Sequence, residues 1–173
     1  MTLNYRDTLN LPDTEFSMKA GLPRKEPEIL KFWSKTNVYE KIRKKYEGKE
    51  LFLLHDGPPY ANGAIHLGHS VNKVLKDITV KSKTLQGYDA PFIPGWDCHG
   101  LPIELNVEKK HGKKSDLVKD KESFQKACKE YAQSQISDQL EDFKRLGVFG
   151  DWENSYMSLD SKFEADIIRS FGV

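Results

Sequence analysis

A chain of 173 residues is long enough for one domain with its own hydrophobic core. Its 27 basic and 26 acidic side chains leave a net charge of +1, so bulk charge does not indicate a polyanionic partner, although a local basic face is not excluded. The two cysteines form no C-x-x-C pair, which argues against a zinc ribbon or a redox dithiol and predicts a reduced, cytoplasmic protein. No apolar run approaches membrane-spanning length, and the N-terminus lacks the pattern of a secretory signal.

The first 48 residues predict an arm followed by a helical segment. Residues 1 to about 24 are irregular and are interrupted by prolines and a glycine. Pro27 can begin a helix, because a proline in the first turn forfeits no hydrogen bond. The apolar pattern that follows is helical but interrupted, and it ends near Gly48. We therefore assign 1–48 to an N-terminal arm and helix, and 49–173 to a second unit.

From residue 49 onward, short apolar runs alternate with helical patterns. The runs are typical of strands buried in a parallel sheet. The helical patterns stop beside a glycine, and the last one begins with Ser161 and Glu164 at the spacing of a capping box. This order predicts an α/β unit with parallel strands and right-handed crossover helices. The predicted strands are 51–54, 90–94 and 156–159, and the predicted helices are 67–85, 103–111, 124–146 and one that opens at Ser161.

The turn after the first strand has an unusual composition. Residues 55–69 contain two prolines, three glycines and three histidines. A glycine-rich turn lets the backbone approach a ligand, and the N-terminus of the following helix offers unpaired N–H groups to phosphate. His66 and His69 are three residues apart, so both imidazoles can lie on one side and donate hydrogen bonds to phosphate oxygens. The turn therefore predicts a site for an adenine nucleotide.

Other interpretations of these histidines stay open. Residues 63–70 nearly match the phosphate-loop pattern G-x-x-x-x-G-K-[ST], but His69 replaces the lysine, which argues against that family. The histidines could be solvated side chains, or metal ligands with help from His55, Asp56 or His99, although no H-E-x-x-H or four-ligand spacing is present. Residues 94–104 also follow a predicted strand, so both stretches should meet at one edge of the sheet.

Both stretches resemble signatures of the class I aminoacyl-tRNA synthetases. Residues 58–69, PPYANGAIHLGH, are similar to the His-Ile-Gly-His signature, with Leu67 in the place of isoleucine. Residues 95–104, GWDCHGLPIE, together with 55–63, resemble the bacterial type of isoleucyl-tRNA synthetase. The resemblance covers nearly the whole chain. It implies the N-terminal half of a Rossmann-like catalytic domain, truncated, with parallel strands, crossover helices and a partly helical N-terminal arm.

The resemblance also implies a reaction and its residues. Isoleucine would be activated with Mg–ATP to an adenylate and then transferred to tRNA(Ile), with His66 and His69 as catalytic residues that stabilise charge on the phosphates. Asp97 would receive the substrate ammonium, although the residues alone favour a helix cap or a surface acid at this position. The implied ATP-binding residues are Pro59, Asn62, His66, Leu67, Gly68 and His69, and the implied amino-acid-binding residues are Pro58, Trp96 and Asp97, with Trp96 packing beside the site.

One departure from the family limits the prediction. The second signature, Lys-Met-Ser-Lys-Ser, is missing, and residues 81–84, KSKT, are interpreted as a solvated helix face. The chain is thus expected to carry half of a ligase site without a zinc site or a membrane partner. The alternative is a catalytically incomplete fragment that acts as a weak ATP-binding or regulatory module. Under either interpretation the truncated face of the chain is expected to expose apolar side chains and to self-associate; the candidates are Phe163, Ile167, Ile168 and Phe171.

Overall fold

The computed structural model describes residues 8, 9, 15, 19–112 and 116–172, so most of the predicted arm lies outside the described residues. Helix α1 spans Leu22–Thr36 and begins earlier than predicted. Pro23 lies in its first turn, and Pro27 lies inside the helix. The prediction that Pro27 begins the helix is therefore wrong. A proline one turn further in forfeits a single intrahelical bond, which the remaining turns outweigh.

The predicted interruption of this segment is confirmed. Asn37, with φ of 50°, ends α1 and precedes α2, Val38–Tyr46. Both helices lie against later parts of the chain: the Trp33 and Phe149 rings meet edge to face at 4.9 Å, and Arg43 Nη1 lies 2.7 Å from Asp89 Oδ1. The boundary between 1–48 and 49–173 stays a prediction.

Three extended segments run parallel. Strand β1, Gly95–Trp96, pairs with β2, Tyr156–Met157, in the register Gly95↔Tyr156. Single parallel bridges, Leu51↔Asp89 and Tyr60↔Asp97, join the first segment to the middle one. The described residues thus form a small parallel α/β arrangement, which confirms the predicted fold class.

The strands are shorter than the apolar runs suggested. The first predicted strand, 51–54, makes a single bridge. The second was predicted at 90–94, but regular pairing begins after it, in β1. The third is confirmed only at its start, 156–157. Prolines explain the shift, because Pro91 and Pro94 cannot donate to a ladder.

The helices follow the sequence pattern more closely. Gly87, Gly112 and Gly147 all have positive φ, at 101°, 87° and 78°, and lie just beyond the helices that they were predicted to end. The predicted capping box is wrong, because Asp160 is the N-cap residue and Ser161 is already helical. The remaining helices are α3 Leu67–Leu85, α4 Leu101–His111, α5 Asp116–Lys119, α6 Lys121–Arg145 and α7 Ser161–Phe171. Within the described residues no helix is both long and apolar enough to cross a membrane.

The core lies between the central segment and α6. Trp96, Ile103, Ile136 and Phe143 belong to one buried cluster, and Phe92 belongs to a second cluster with Val80, Ala90 and Val148. Helix α4 packs on α6 next to the first cluster. The loops at both ends of the central segment therefore lie next to buried core clusters.

The side of helix α3 that faces this core is mostly polar, with Val80 as its buried apolar residue. Lys73 and Thr84 are buried, and Lys81 Nζ donates to the Gly147 carbonyl at 3.1 Å and lies 4.2 Å from the centroid of the Phe149 ring. The interpretation of 81–84 as a solvated face is therefore wrong for Lys81 and Thr84. The apolar residues that predicted the helix point away from the described core; they are Leu67, Val71, Val74, Leu75, Ile78 and Leu85.

Candidate functional site

The two histidines of the turn cap helix α3 reciprocally. His66 is the N-cap residue, and its Nδ1 accepts a hydrogen bond from the Gly68 N–H at 3.0 Å. His69 Nδ1 in turn accepts from the His66 N–H at 3.3 Å, and the two rings stack with centroids 4.0 Å apart. A ring nitrogen that accepts carries no proton, so each neutral ring has its proton on Nε2. Both Nε2–H groups are therefore left as donors for a ligand.

The electrostatics of the turn favour a neutral His69. Burial lowers the pKa of His69 below its usual 6.5, and the neighbouring His66 and Lys73 lower that pKa further. The structure thus presents His69 at neutral pH as an uncharged donor rather than as an imidazolium.

Gly68 is required by the cap itself. A Cβ at this position would lie 2.9 Å from His66 Cε1 and 3.0 Å from Nδ1. A side chain would therefore push away the ring that caps the helix. The cap alone therefore explains why position 68 is a glycine, without reference to a bound nucleotide.

Asn62 and Gly63, at the start of the turn, are held by distant helices. Asn62 Oδ1 accepts from Asn106 Nδ2 at 2.7 Å and from the Tyr131 hydroxyl at 2.9 Å. The Gly63 N–H donates to Gln135 Oε1 at 2.8 Å, and Gly63 has a φ of 78°, a conformation that favours glycine. Helices α4 and α6 therefore fix the shape of this loop.

The structure brings the two motif stretches together through their backbones. The Asp97 N–H donates to the Pro59 carbonyl, and the Ala61 N–H donates to the Asp97 carbonyl, both at 2.8 Å. Pro58 and Pro59 are half-buried at this junction. The predicted meeting of the two stretches at one edge is therefore present as a parallel bridge.

The Asp97 carboxylate is half-buried beside this bridge. Its Oδ1 accepts from the His99 N–H at 3.3 Å and from the Ser158 hydroxyl at 3.5 Å. It does not cap α4, whose N-cap residue is Gly100 and makes no side-chain cap hydrogen bond. The helix-cap alternative for Asp97 is therefore wrong. Trp96, only 1% exposed, lies beneath the junction and donates from Nε1 to Gln139 Oε1 at 3.0 Å.

Two of the candidate helpers for a metal site, Asp56 and His99, contact other charged side chains. Asp56 is buried and pairs through its two carboxylate oxygens with Lys73 and Lys76. His99 Nε2 lies 3.3 Å from Glu164 Oε1 on α7. In the part of the chain that the structure describes, no group of three or more His, Cys, Asp or Glu residues could hold a metal ion.

Sequence reasoning missed the polar side chains that support both loops. Gln139 is completely buried, and it lies between Ile136 and Phe143 on the apolar side of α6. A polar residue at the spacing of an apolar stripe is the signal that could have identified it, because a buried amide must find hydrogen-bond partners. Asn106 and Tyr131 left no comparable signal.

Comparison with known proteins agrees with this geometry. The family model for tRNA synthetases class I (I, L, M and V) matches residues 28–173. Isoleucine–tRNA ligases of Francisella philomiragia and of Francisella tularensis subsp. mediasiatica are each 60% identical over 167 residues, which is 96% of this chain. The chain spans 18% of the length of those relatives.

A solved structure shows the same fold at low identity. The Agrobacterium radiobacter K84 LeuRS, in a ternary complex with tRNA and LeuAMS, matches with a TM-score of 0.64 and 19% identity. The match covers 88% of this chain and 18% of that one. Because the family model covers most of the sequence, the chain belongs to the class I tRNA synthetases (I, L, M and V).

Proposed function

We propose that this chain carries the His-Leu-Gly-His half of the adenylate site of an isoleucine–tRNA ligase. The parallel bridge between Tyr60 and Asp97 is the observation that supports it most directly. It joins a turn with two free imidazole donors to a half-buried carboxylate, and these are the groups needed for a phosphate and for an ammonium. The 60% identity to isoleucine–tRNA ligases favours isoleucine as the amino acid.

In the proposed reaction the isoleucine carboxylate attacks the α-phosphorus of ATP. A new P–O bond forms, the bond to the pyrophosphate oxygen breaks, and pyrophosphate leaves. His66 and His69 donate Nε2–H hydrogen bonds to the phosphate oxygens as negative charge develops there. Mg²⁺ enters with the nucleotide, bound chiefly to its phosphates. The adenylate then transfers its acyl group to a hydroxyl of tRNA(Ile), and AMP leaves.

The substrates occupy the two sides of the bridge. We assign ATP to the turn and the amino acid to the junction around Asp97, whose carboxylate pairs with the substrate ammonium. Trp96 supports the amino-acid side from below. The residues on the ATP side are Pro59, Asn62, His66, Leu67, Gly68 and His69, and those on the amino-acid side are Pro58, Trp96 and Asp97.

The test of the phosphate role separates it from helix capping. Residues 1–173 replace the corresponding segment of a full-length Francisella ligase, and isoleucine-dependent ATP–pyrophosphate exchange is measured. His66→Asn keeps a good N-cap but removes the imidazole donor. We expect His66→Asn and His69→Ala each to lose ~2–4 kcal/mol of transition-state stabilisation, with little change in isoleucine affinity. His111→Ala, on the exposed end of α4, is the control; unchanged exchange in both site variants would contradict the phosphate role.

The ammonium role of Asp97 predicts a selective loss. Asp97→Asn keeps an acceptor for the His99 N–H but removes the charge. We expect isoleucine binding to weaken by ~2–5 kcal/mol while ATP binding changes little, because only the ammonium loses its charged partner. Equal weakening of both substrates in the exchange assay would instead indicate a structural role.

Residues 1–173 alone are proposed to bind ATP weakly, to catalyse no exchange and to self-associate in the cytoplasm through exposed apolar faces. The side chains on one such face are Phe163, Ile167, Ile168 and Phe171, all exposed on α7. Efficient exchange by this chain alone, with a preference for isoleucine over valine, would contradict the assignment of half a site. ATP binding without activity even in the chimeric ligase would favour the alternative, a regulatory module.

A further inference from the structure

Gln139 joins the two loops of the site through one buried side chain. The residue lies on α6 and is 0% exposed. Its Oε1 accepts from Trp96 Nε1 at 3.0 Å, on the amino-acid side of the bridge. Its Nε2 donates to the Tyr60 carbonyl at 2.9 Å and to the Gly63 carbonyl at 2.8 Å, on the nucleotide side.

The chemistry of these contacts is specific to glutamine. One partner is a donor and two are acceptors, so the side chain must offer one acceptor and two hydrogens. The partners also fix the orientation of the amide, because the flipped amide would place Oε1 against two carbonyl oxygens and the NH₂ group against the indole N–H. Glutamate lacks the two donors, and methionine has the right length but makes none of these bonds.

The neighbouring Gln135 provides a matched contrast. It lies one helical turn earlier on α6, and its Oε1 accepts from the Gly63 N–H at 2.8 Å. Gln135 is thus hydrogen-bonded to the nucleotide loop and not to Trp96. Gln133 is exposed on the same helix and offers a control outside the network.

We propose that Gln139 is a positioning residue that couples the nucleotide loop to the amino-acid loop and so sets the distance between the two substrates. This inference rests on the proposed function. Formation of the adenylate joins a carboxylate held from residues 96–97 to a phosphate held from residues 59–69, so the rate depends on how precisely these loops are aligned. Misplacement of the reacting groups by about 1 Å can lower the rate about 10²-fold without weakening the binding of either substrate.

A purely structural role makes a different prediction. If Gln139 only stabilises the core with Ile136 and Phe143, its loss would lower the amount of folded protein but not the turnover of the molecules that remain folded. A positioning role lowers kcat per folded molecule and leaves both KM values nearly unchanged. The two roles are therefore separated by kinetics referred to the folded fraction.

The first experiment is independent of catalysis and uses residues 1–173. The ¹H–¹⁵N resonances of the Trp96 indole and the Gly63 amide are recorded in Gln139→Met, Gln135→Met and Gln133→Met. We expect Gln139→Met to shift both resonances, Gln135→Met to shift Gly63 alone, and Gln133→Met to shift neither. Unmoved resonances in Gln139→Met would overturn the coupling even if the ligase assignment is correct.

The second experiment measures exchange kinetics in the chimeric ligase. We expect Gln139→Met to lower kcat by about 10- to 100-fold with each KM changed less than about threefold, and Gln135→Met chiefly to raise the KM for ATP. If Gln139→Met does not fold, Gln139→Glu keeps the length and the acceptor for Trp96 but loses both donors, and it should show the same loss of kcat. If the Gln139 variants leave kcat per folded molecule unchanged, or only raise a KM, the inference is overturned. An inactive chimera without these substitutions would refute the proposed function, while the resonances still decide the coupling.

Discussion

The two faces of helix α3 differ in the opposite sense from an ordinary surface helix. The inner face buries Lys73 and Thr84 together with the apolar Val80, whereas the outer face exposes Leu67 to 80% and Leu75 to 59%. The same helix begins at the capped histidine turn, so both faces bear on the site. The contrast shows that hydrophobic periodicity established the helix correctly but gave no information about which side would contact the described core.

The inner face can be buried because its lysine ammonium groups are paired with a carboxylate and the lysine side chains are otherwise aliphatic. Lys73 and Lys76 share the Asp56 carboxylate, and Lys73 Nζ lies 5.4 Å from the centroid of the Phe92 ring and 5.3 Å from that of the Phe143 ring. Burial lowers the pKa of Lys73, although the hydrogen bond to Asp56 opposes the shift. The ion pair between Asp56 and Lys73 thus joins the segment before Pro58 to the helix that follows the turn.

The largest expected effect comes from breaking this pair. Asp56→Ala leaves Lys73 buried without its carboxylate, and we expect the free energy of unfolding in urea to fall by ~3–5 kcal/mol. The double variant Asp56→Ala/Lys73→Met should regain much of that loss, because it removes the unpaired charge. Asp138→Ala, exposed on α6, is the control. A loss below about 1 kcal/mol in Asp56→Ala would show that the inner face does not depend on the pair.

A smaller effect on the free energy of unfolding is expected from protonation of His69, in the turn where helix α3 begins. The pKa of His69 is lower in the folded chain than its usual 6.5, so the unfolded chain binds the proton more readily. The contribution of His69 to the free energy of unfolding is therefore fully present above pH 6.5, and it is lost as the pH falls through the pKa that His69 has in the folded chain. Unfolding measured from pH 7.5 to pH 5 should show a steeper loss in the unsubstituted chain than in His69→Gln. Parallel profiles would contradict the proposed electrostatics of the turn.

The smallest effect is expected on the outer face. Leu75→Gln removes an exposed apolar side chain, so the free energy of unfolding should change by less than about 0.5 kcal/mol. If this face takes part in self-association, the sedimentation mass of residues 1–173 should fall toward that of a monomer. A stability loss above about 1.5 kcal/mol would mean that Leu75 is buried in the folded chain, and the contrast between the two faces would fail.

The parts of the fold that sequence predicted are those set by local chemistry. Gly87, Gly112 and Gly147 end helices because they adopt positive φ beyond the last turn, which a single residue signals on its own. The His66–His69 turn was likewise visible as a local pattern. The strands were predicted less well, because Pro91 and Pro94 moved the pairing and only the tertiary arrangement decides where pairing resumes. Gln139 was missed because its partners are 43 to 79 residues away.

The long reach of Gln135 and Gln139 has a consequence during synthesis on the ribosome. Their hydrogen bonds to Tyr60 and Gly63 span 72 to 79 positions of the chain. At roughly 5–20 residues per second, the turn emerges from the ribosome roughly 4 to 16 seconds before the glutamines that contact it. The hydrogen bonds from α6 to Tyr60 and Gly63 therefore form only after α6 has been made, and a translational pause between residues 63 and 139 would prolong the period in which a chaperone can bind the loop without them.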